Sequence, residues 1–440
     1  MKCLIIAAGK GHRLRSKGDS KPLVPLFGIP LIERVVRCAY EAGADDFFVV
    51  TGYQGESVRS FLGILADRLD IRITSIVNED WEKENGLSVL KARNFLSEPF
   101  LLLMADHLFD PSIVRNLFEQ PLAKDGMVLG VDTNMTNPLI DLKDVTRVRT
   151  EDGKIRNIGK NLEDYNGFDT GLFVCDPAIF DALERCAEAT GDTSLSGAVQ
   201  ELADNGLANA IDINGQFWVD VDDPNAFQRA ENALLCNMRG KVSDGPVARF
   251  LNRPLSIWVS RRLVNYSITP NQISLVSFLF SMLAAGLLAL GGYFSLFMGG
   301  VLAQFASVID GCDGEVARLK FQASEYGKWL DAVLDRYADA FLLFGLTWHA
   351  YGDRTEGLVL FVGFMAIIGS FLLSYTADKY DYLMSRQIRQ GKGLRMGRDI
   401  RVFIIFLGAV LHIPFWTLLV IAVMMNLETI RRIIVCRNNE

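Results

Sequence analysis

The sequence predicts two parts: an α/β domain with a Rossmann-like mixed sheet, then an all-α membrane domain of about six transmembrane helices. Three observations carry that reading. Residues 1 to about 230 alternate short apolar runs, glycine-containing turns and helical stretches, as an α/β fold requires. From about residue 271 the apolar runs become long and repeated, near the length that crosses a bilayer. The apolar fraction of 50% and mean hydropathy of +0.20 are high for a soluble chain, and this second half supplies the excess. A length of 440 residues suits two or three domains. We place the boundaries at 1–229, 230–268 and 269–440, the middle piece being a linker with an interfacial helix.

Composition narrows the function. A net charge of −7 argues against nucleic acid as a partner. The seven cysteines are odd in number and none forms a CxxC pair, so neither a disulfide framework nor a zinc site is expected, and a reducing cytoplasm fits. The four histidines show no metal-ligand spacing. The N-terminal MKCLIIAAGKG has too short an apolar core for a signal peptide.

Lys2–Ala7 reads as a buried strand that runs into a glycine loop. Such a loop exposes backbone N–H groups to phosphates, with Gly9 and Gly11 permitting close approach. Arg13 and Lys21 would neutralise a triphosphate and a leaving pyrophosphate. G-x-G alone is an ordinary βα turn. Taken together, Ala7, Ala8, Gly9, Gly11, Arg13, Lys21, Pro22 and Pro25 resemble the N-terminal signature of nucleotidyltransferases that join NTPs to sugar phosphates or phospho-alcohols. The G-x-x-x-x-G-K-[ST] loop of P-loop ATPases is absent.

Phe47–Thr51 and Ile71–Val77 read as parallel strands. NEDWEKENGLSVLKA resembles that family's base-contacting loop, with Gly86 and Ser88 opening a helix. PFLLLMADHLFD is a buried strand ending at Asp106, and ligands sit at such strand ends. Asp is also a common turn residue there; the resemblance implies a metal at Asp106. VTRVRTEDGKIRNIGK reads as a hairpin turning at Asp152-Gly153. The resemblance implies that this hairpin contacts the acceptor substrate, with Lys160 on its phosphate, although Lys160 also reads as a surface lysine. It also implies that Asp169 and Thr170 bond acceptor hydroxyls. Asp220 and Asp222 share a strand face and would complete a Mg²⁺ site with Asp106, while Asp223 before Pro224 starts the next helix.

Residues 225–245 are polar and end in a break at SDGP. GPVARFLNRPLSIWVSRRLVNY mixes Arg with Trp, Phe and Leu, as an interfacial amphipathic helix does, and a docking helix is the alternative. Spans follow at roughly 271–290, 295–317, 326–349, 356–384, 398–412 and 415–434. Arg261, Arg262, Arg318, Lys320, Lys379, Arg386, Arg389, Lys392, Arg395, Arg398, Arg401, Arg431 and Arg432 fall on one side, so both termini face the cytoplasm.

Asp310, Asp313, Asp331 and Asp335 lie among these spans at helical spacings of three and four. Each ionised carboxylate costs about 2.5–3.5 kcal/mol on insertion scales, which divalent cations would offset. An acidic solvated loop is the bland alternative. Asp310, Asp313, Gly314, Ala317, Arg318, Gly327, Asp331 and Asp335 fill every fixed position of the CDP-alcohol phosphotransferase signature, which this stretch resembles. Thr269–Ser274 resembles the motif before that family's first helix. The resemblance implies metals on the aspartates (Mg²⁺ or Mn²⁺), CDP on Gly314, Ala317, Arg318 and Gly327, and Asp335 as general base. The basic segment 378–403 reads either as an orientation or anionic-lipid signal, or as an acceptor site with Arg398 and Arg401 reaching inward.

A cytidylyltransferase-like half joined to a CDP-alcohol phosphotransferase-like half resembles the bifunctional inositol-1-phosphate cytidylyltransferase and di-myo-inositol-phosphate-phosphate synthase family. That implies CTP and inositol 1-phosphate as substrates, CDP-inositol as intermediate, and a multi-pass membrane enzyme, expected as a homodimer through its membrane domain. Rival readings keep both reactions on another phospho-alcohol or a lipid acceptor, or make the soluble half a regulatory nucleotide-binding module. A transporter using intramembrane carboxylates leaves the nucleotidyl signature unexplained.

Overall fold

The computed structural model describes residues 1–238, 245–354, 356–383 and 397–437. The SDGP break and Arg386, Arg389, Lys392 and Arg395 of the basic segment lie outside these residues, apart from Gly245 and Pro246. The chain divides into two compact units, Met1–Ala233 and Leu234–Glu440.

In the first unit, β1 (Lys2–Ala7) pairs in parallel with β4 (Asp46–Thr51) and β6 (Phe100–Met104). A two-residue hairpin, β2 (Pro25–Leu26) and β3 (Ile29–Pro30), precedes helix α1 (Leu31–Ala42). β5 (Arg72–Val77) extends the sheet beyond β4. After β7 (His107–Phe109) and β8 (Met127–Asp132) comes the expected hairpin of β9 (Arg147–Glu151) and β10 (Lys154–Gly159). Asp152 and Gly153 both have positive φ, 51° and 72°, as a two-residue turn matching strand twist needs. β11 (Gly167–Cys175), β12 (Ala208–Asp212) and β13 (Trp218–Asp220) complete the strands. The nine-stranded order is β5-β4-β1-β6-β11-β8-β12-β10-β9, mixed because β11 runs antiparallel to β6 and β8.

The two-residue strand period builds two cores, one on each face. Along β1, Leu4 and Ile6 enter one cluster and Cys3, Ile5 and Ala7 the other. Burial on both faces explains why β1 and β6 are continuous apolar runs. The C-terminal ends of β1 and β6, with the short β7–β13 ladder beside them, form the rim on which charged residues gather.

Among its described residues, the second unit is all helical. Its described helices are a π-helical turn at Ala248–Asn252, then Arg253–Leu263, Pro270–Ala289, Tyr293–Leu319, Glu325–Arg354, Gly357–Tyr375, Ala377–Leu383, Arg398–Val410 and Pro414–Arg437. Among the described residues, three are long and apolar enough to cross a membrane: Pro270–Ala289, Tyr293–Leu319 and Gly357–Tyr375. The expected fourth span, 356–384, is broken at Thr376, where a separate short helix begins. Polarity is inverted relative to a soluble bundle. Leu279, Phe294, Phe344, Phe361 and Trp416 are exposed, while Ser277, Ser281, Asp339, Arg401 and Glu428 are buried. Small residues bring the helices close: a Cβ on Gly345 would lie 2.3 Å from the Ala285 carbonyl oxygen.

Pro270–Ala289 starts on a capping box. Thr269 Oγ1 accepts from Gln272 N, and Gln272 Oε1 accepts from Thr269 N at 3.0 Å. The Thr269–Ser274 motif is thus the physical start of that helix.

Candidate active sites

The glycine loop leaves β1 through Ala8 and Gly9, and Gly9 lines a cavity of about 320 Å³. Gly11 has φ +60°, and a Cβ there would lie 2.5 Å from Lys21 Cβ. The glycine therefore lets Lys21 lie beneath the loop, where it is almost fully buried. Lys21 Nζ contacts Asp106 Oδ2 and Asp222 Oδ1 and lies 4.0 Å from Asp220 Oδ1. Arg13 Nη2 is 2.6 Å from Asp222 and 2.6 Å from Asp144. The structure thus gathers Arg13, Lys21, Asp106, Asp220 and Asp222, which stand far apart in the chain.

Electrostatics follow from that packing. Burial favours the neutral Lys21 amine, but Asp106, Asp220 and Asp222 outweigh it and hold the ammonium above the usual lysine range. Burial opposes ionisation of Asp106 and Asp222, yet Lys21 holds both below the usual carboxylate range. Asp220 goes the other way: burial raises it, and its Oδ1 has no hydrogen-bond partner among the described residues. Asp169, also on the cavity, is pushed up to about 6 by burial, against the pull of the Gly171 N–H.

Lys160 lines the same cavity and pairs with Asp144 at 2.6 Å. Thr170 does not face it: its hydroxyl is buried and donates to the Gly130 carbonyl at 2.7 Å. Gly86 sits in the helix Asn85–Leu90, where a Cβ would lie 2.3 Å from the Thr193 carbonyl, so it serves close packing there. Ser88 Oγ is buried and accepts from Asn78 Nδ2 at 2.9 Å. Asp223 caps the next helix, accepting from Ala226 N at 2.6 Å.

His107 departs from the reading of the histidines. β13 pairs antiparallel with β7, and the register sets His107 opposite Asp220. Asp106, His107 and Asp220 each offer a ligand atom within 4.8 Å of the others. The burial of His107 opposes its charge, but Asp220 and Asp106 hold the imidazolium up at about 10. Asp144, to which the sequence assigned no role, comes from the 133–146 loop.

In the second unit, Asp310, Asp331 and Asp335 converge, their ligand oxygens within 4.8 Å of one another. Asp313 faces Ser274, whose hydroxyl donates to it at 2.5 Å, and Ser277 donates to Asp310 at 3.2 Å. Arg398 Nη1 lies 2.7 Å from Asp310 and 2.6 Å from Asp335, and its Nε 3.3 Å from Asp339. Asp310, Asp335 and Arg398 line a cavity of about 160 Å³ with Arg253 and Ser256. Arg401 does not line it. It is buried and bonds Asp339 and, at 3.1 Å, Ser374, which turns it away from an acceptor.

Gly314 and Gly327 leave room for their neighbours: their Cβ positions lie 3.3 Å from Arg318 Nη1 and 3.1 Å from Asn271 Oδ1. Ala317 is buried beside Arg318 in the helix Tyr293–Leu319. Helix Arg253–Leu263 turns polar groups inward, Arg253 and Ser256 meeting Glu315 at 2.9 and 2.6 Å. Its other face leaves Leu255 and Trp258 exposed, next to an exposed Phe250.

Residues 3–202 match the MobA-like NTP transferase domain, and residues 267–430 match the CDP-alcohol phosphatidyltransferase family. A protein of Rubrobacter xylanophilus, named bifunctional IPC transferase and DIPP synthase, is 38% identical over 98% of this chain and 95% of its own length. A protein of the same name from Aquifex aeolicus is 33% identical over 97% of this chain and 96% of its own. The solved inositol-1-phosphate CTP transferase of T. maritima is 26% identical, covers 52% of this chain and 94% of its own, and superposes with a TM-score of 0.47.

Proposed function

The chain belongs to the family of bifunctional IPC transferases and DIPP synthases, and from that premise we propose that it makes a CDP-activated inositol in its first unit and consumes it in its second. The first reaction joins CTP and inositol 1-phosphate to give CDP-inositol and pyrophosphate. The second transfers inositol phosphate from CDP-inositol to another inositol 1-phosphate and releases CMP. The observation that carries this reading is the pair of separate acidic sites, one in each unit, each faced by a cation fit for phosphate: Lys21 in one, Arg398 in the other.

In the first site the acceptor's phosphate oxygen attacks the α-phosphorus of CTP. The new P–O bond forms as the bond to pyrophosphate breaks. The work is positioning and charge neutralisation. The loop amides at Ala7, Ala8, Gly9 and Gly11 bind the nucleotide, and Gly86 and Ser88 shape the base-contacting stretch from within, by close packing and by the bond to Asn78. Arg13 and Lys21 take the triphosphate charge, while Lys160 and Asp169 face the acceptor. Asp106, Asp220 and Asp222 would hold Mg²⁺ or Mn²⁺. The orphaned Asp220 oxygen fits a cation there.

In the second site an acceptor hydroxyl attacks the β-phosphorus of CDP-inositol, its proton passes to Asp335, and CMP leaves. Asp310, Asp313, Asp331 and Asp335 fit hard divalent ions, which would neutralise the pyrophosphate bridge. Gly314, Ala317, Arg318 and Gly327 bind the CDP, and Arg398 the acceptor's phosphate. Arg401 supports it through their shared Asp339.

The membrane topology belongs to this proposal. The helices Pro270–Ala289, Tyr293–Leu319, Glu325–Arg354, Gly357–Tyr375, Arg398–Val410 and Pro414–Arg437 serve as six spans. Both termini and both sites are cytoplasmic, Arg253–Leu263 lies in the interface, and two chains pair through this unit. Purified protein given CTP, Mg²⁺ and inositol 1-phosphate will release both pyrophosphate and CMP. Pyrophosphate without CMP means a different second acceptor. Release of neither sinks the inositol assignment, and mass spectrometry over a panel of phospho-alcohols then identifies the substrate.

A further inference from the structure

We propose that His107 gives an imidazole nitrogen, Nε2, to the divalent cation of the first unit, beside Asp106 Oδ1 and Asp220 Oδ2. The proposal rests on the cytidylyltransferase reading of that unit, and it adds a ligand and with it a metal preference. His107 Nδ1 lies 2.7 Å from the Thr170 carbonyl oxygen. A carbonyl only accepts, so Nδ1 carries a proton and the ring presents Nε2 to the carboxylates. A metal-bound histidine is held by its other nitrogen in this way.

The fold makes room for the ring. Gly171 has φ +74°, and a Cβ there would lie 2.3 Å from His107 Nδ1. Trp218, fixed by its indole N–H on Asp132 at 2.8 Å, stands with its ring centre 6.3 Å from the imidazole. Nε2 is 3.8 Å from Asp106 Oδ1 and 3.6 Å from Asp220 Oδ2. Both distances exceed a hydrogen bond. The three donor atoms nevertheless stay within 4.8 Å of one another, a group spaced around a common centre.

Asp106 divides its two oxygens. Oδ2 takes Lys21 and Oδ1 faces His107, so the ammonium and a metal ion have separate places. Lys21 stays available to the triphosphate. A cation at Nε2 replaces the proton held there, which passes to solvent. Against the all-oxygen aspartates of the second unit, a nitrogen donor moves preference from Mg²⁺ toward Mn²⁺ and later transition ions.

The test is electron spin-echo envelope modulation on the full-length protein in detergent, free of nucleotide and loaded with Mn²⁺. Directly bound ¹⁴N is expected in the natural protein and absent in His107→Gln, while Mn²⁺ at the all-oxygen aspartates adds no nitrogen signal. Calorimetry is expected to show Mn²⁺ affinity of the first unit falling at least about tenfold in His107→Gln. Absence of the ¹⁴N signal in the natural protein, or its survival in His107→Gln, overturns the proposal. The natural protein's signal decides even where the variant fails to fold. Pyrophosphate release without the ¹⁴N signal rejects the ligand and leaves the cytidylyltransferase reading standing.

Discussion

Asp339→Leu removes the carboxylate that two buried arginines share. Asp339 and Arg401 side chains are 5% and 3% exposed. Among the described residues, Arg401 keeps Ser374 Oγ at 3.1 Å and the sulfur of Met425 at 4.0 Å as its further bonded partners. Neither carries charge, so a guanidinium is left buried and uncompensated. Removing one member of a buried pair costs about 3–5 kcal/mol, whereas replacing both with apolar groups of similar volume is often neutral. Arg398 keeps Asp310 and Asp335 but loses the partner of its Nε.

The full-length protein in detergent provides its own control, because pyrophosphate release reports the first unit and CMP release from supplied CDP-inositol the second. Asp339→Leu is expected to lower the melting transition of the second unit and abolish CMP release, with pyrophosphate release within about twofold. Asp339→Leu with Arg401→Leu is expected to recover the transition but not the CMP rate, because Arg398 stays misaimed. An unmoved transition in the single variant, or a double variant as unstable as the single, refutes the reasoning.

Three more outcomes follow from the two sites. Gly11→Ala places a methyl 2.5 Å from Lys21 Cβ at a φ of +60°, and pyrophosphate release is expected to fall at least about tenfold while CMP release from supplied CDP-inositol is unchanged. Asp335→Asn is expected to stop CMP release while CDP-inositol accumulates; loss of both products together speaks against independent sites. The Asp169 carboxyl sits at about 6 in the fold against 3.8 ordinarily, so it binds its proton more tightly folded than unfolded. Its contribution is therefore present below pH 4 and lost as pH rises through 6, about 3 kcal/mol in all by linkage. Asp169→Asn in EDTA should raise the first unit's melting temperature at pH 8 and leave it unmoved at pH 4, and an equal gain at both rejects the burial argument.

How far the sequence alone discloses these sites depends on what fixes each residue. The glycine loop and Lys21 were legible because one strand, one turn and a short stretch of chain place them. His107 was not: the histidines have no metal-ligand spacing along the chain, and the β7–β13 ladder is what sets this one opposite Asp220. Asp144 was hidden for the same reason, its loop having no period to read. Asp339 was visible in principle, since Asp331, Asp335 and Asp339 repeat every four residues on one helix face, but the eight-position signature ends at Asp335 and assigns Asp339 no role.

The membrane half shows the same division at larger scale. Most helix limits follow composition, because long apolar runs mark the helices, although the expected fourth span breaks at Thr376. The inward polar network has no such mark. On one of two readings of the basic segment Arg401 reaches inward to an acceptor, and its packing against Asp339 and Ser374 turns it into support for Arg398. A charge in an apolar helix must find a partner, and sequence states the need without naming the partner. The residues most worth changing are therefore those, like Asp339 and His107, whose partners arrive from another element.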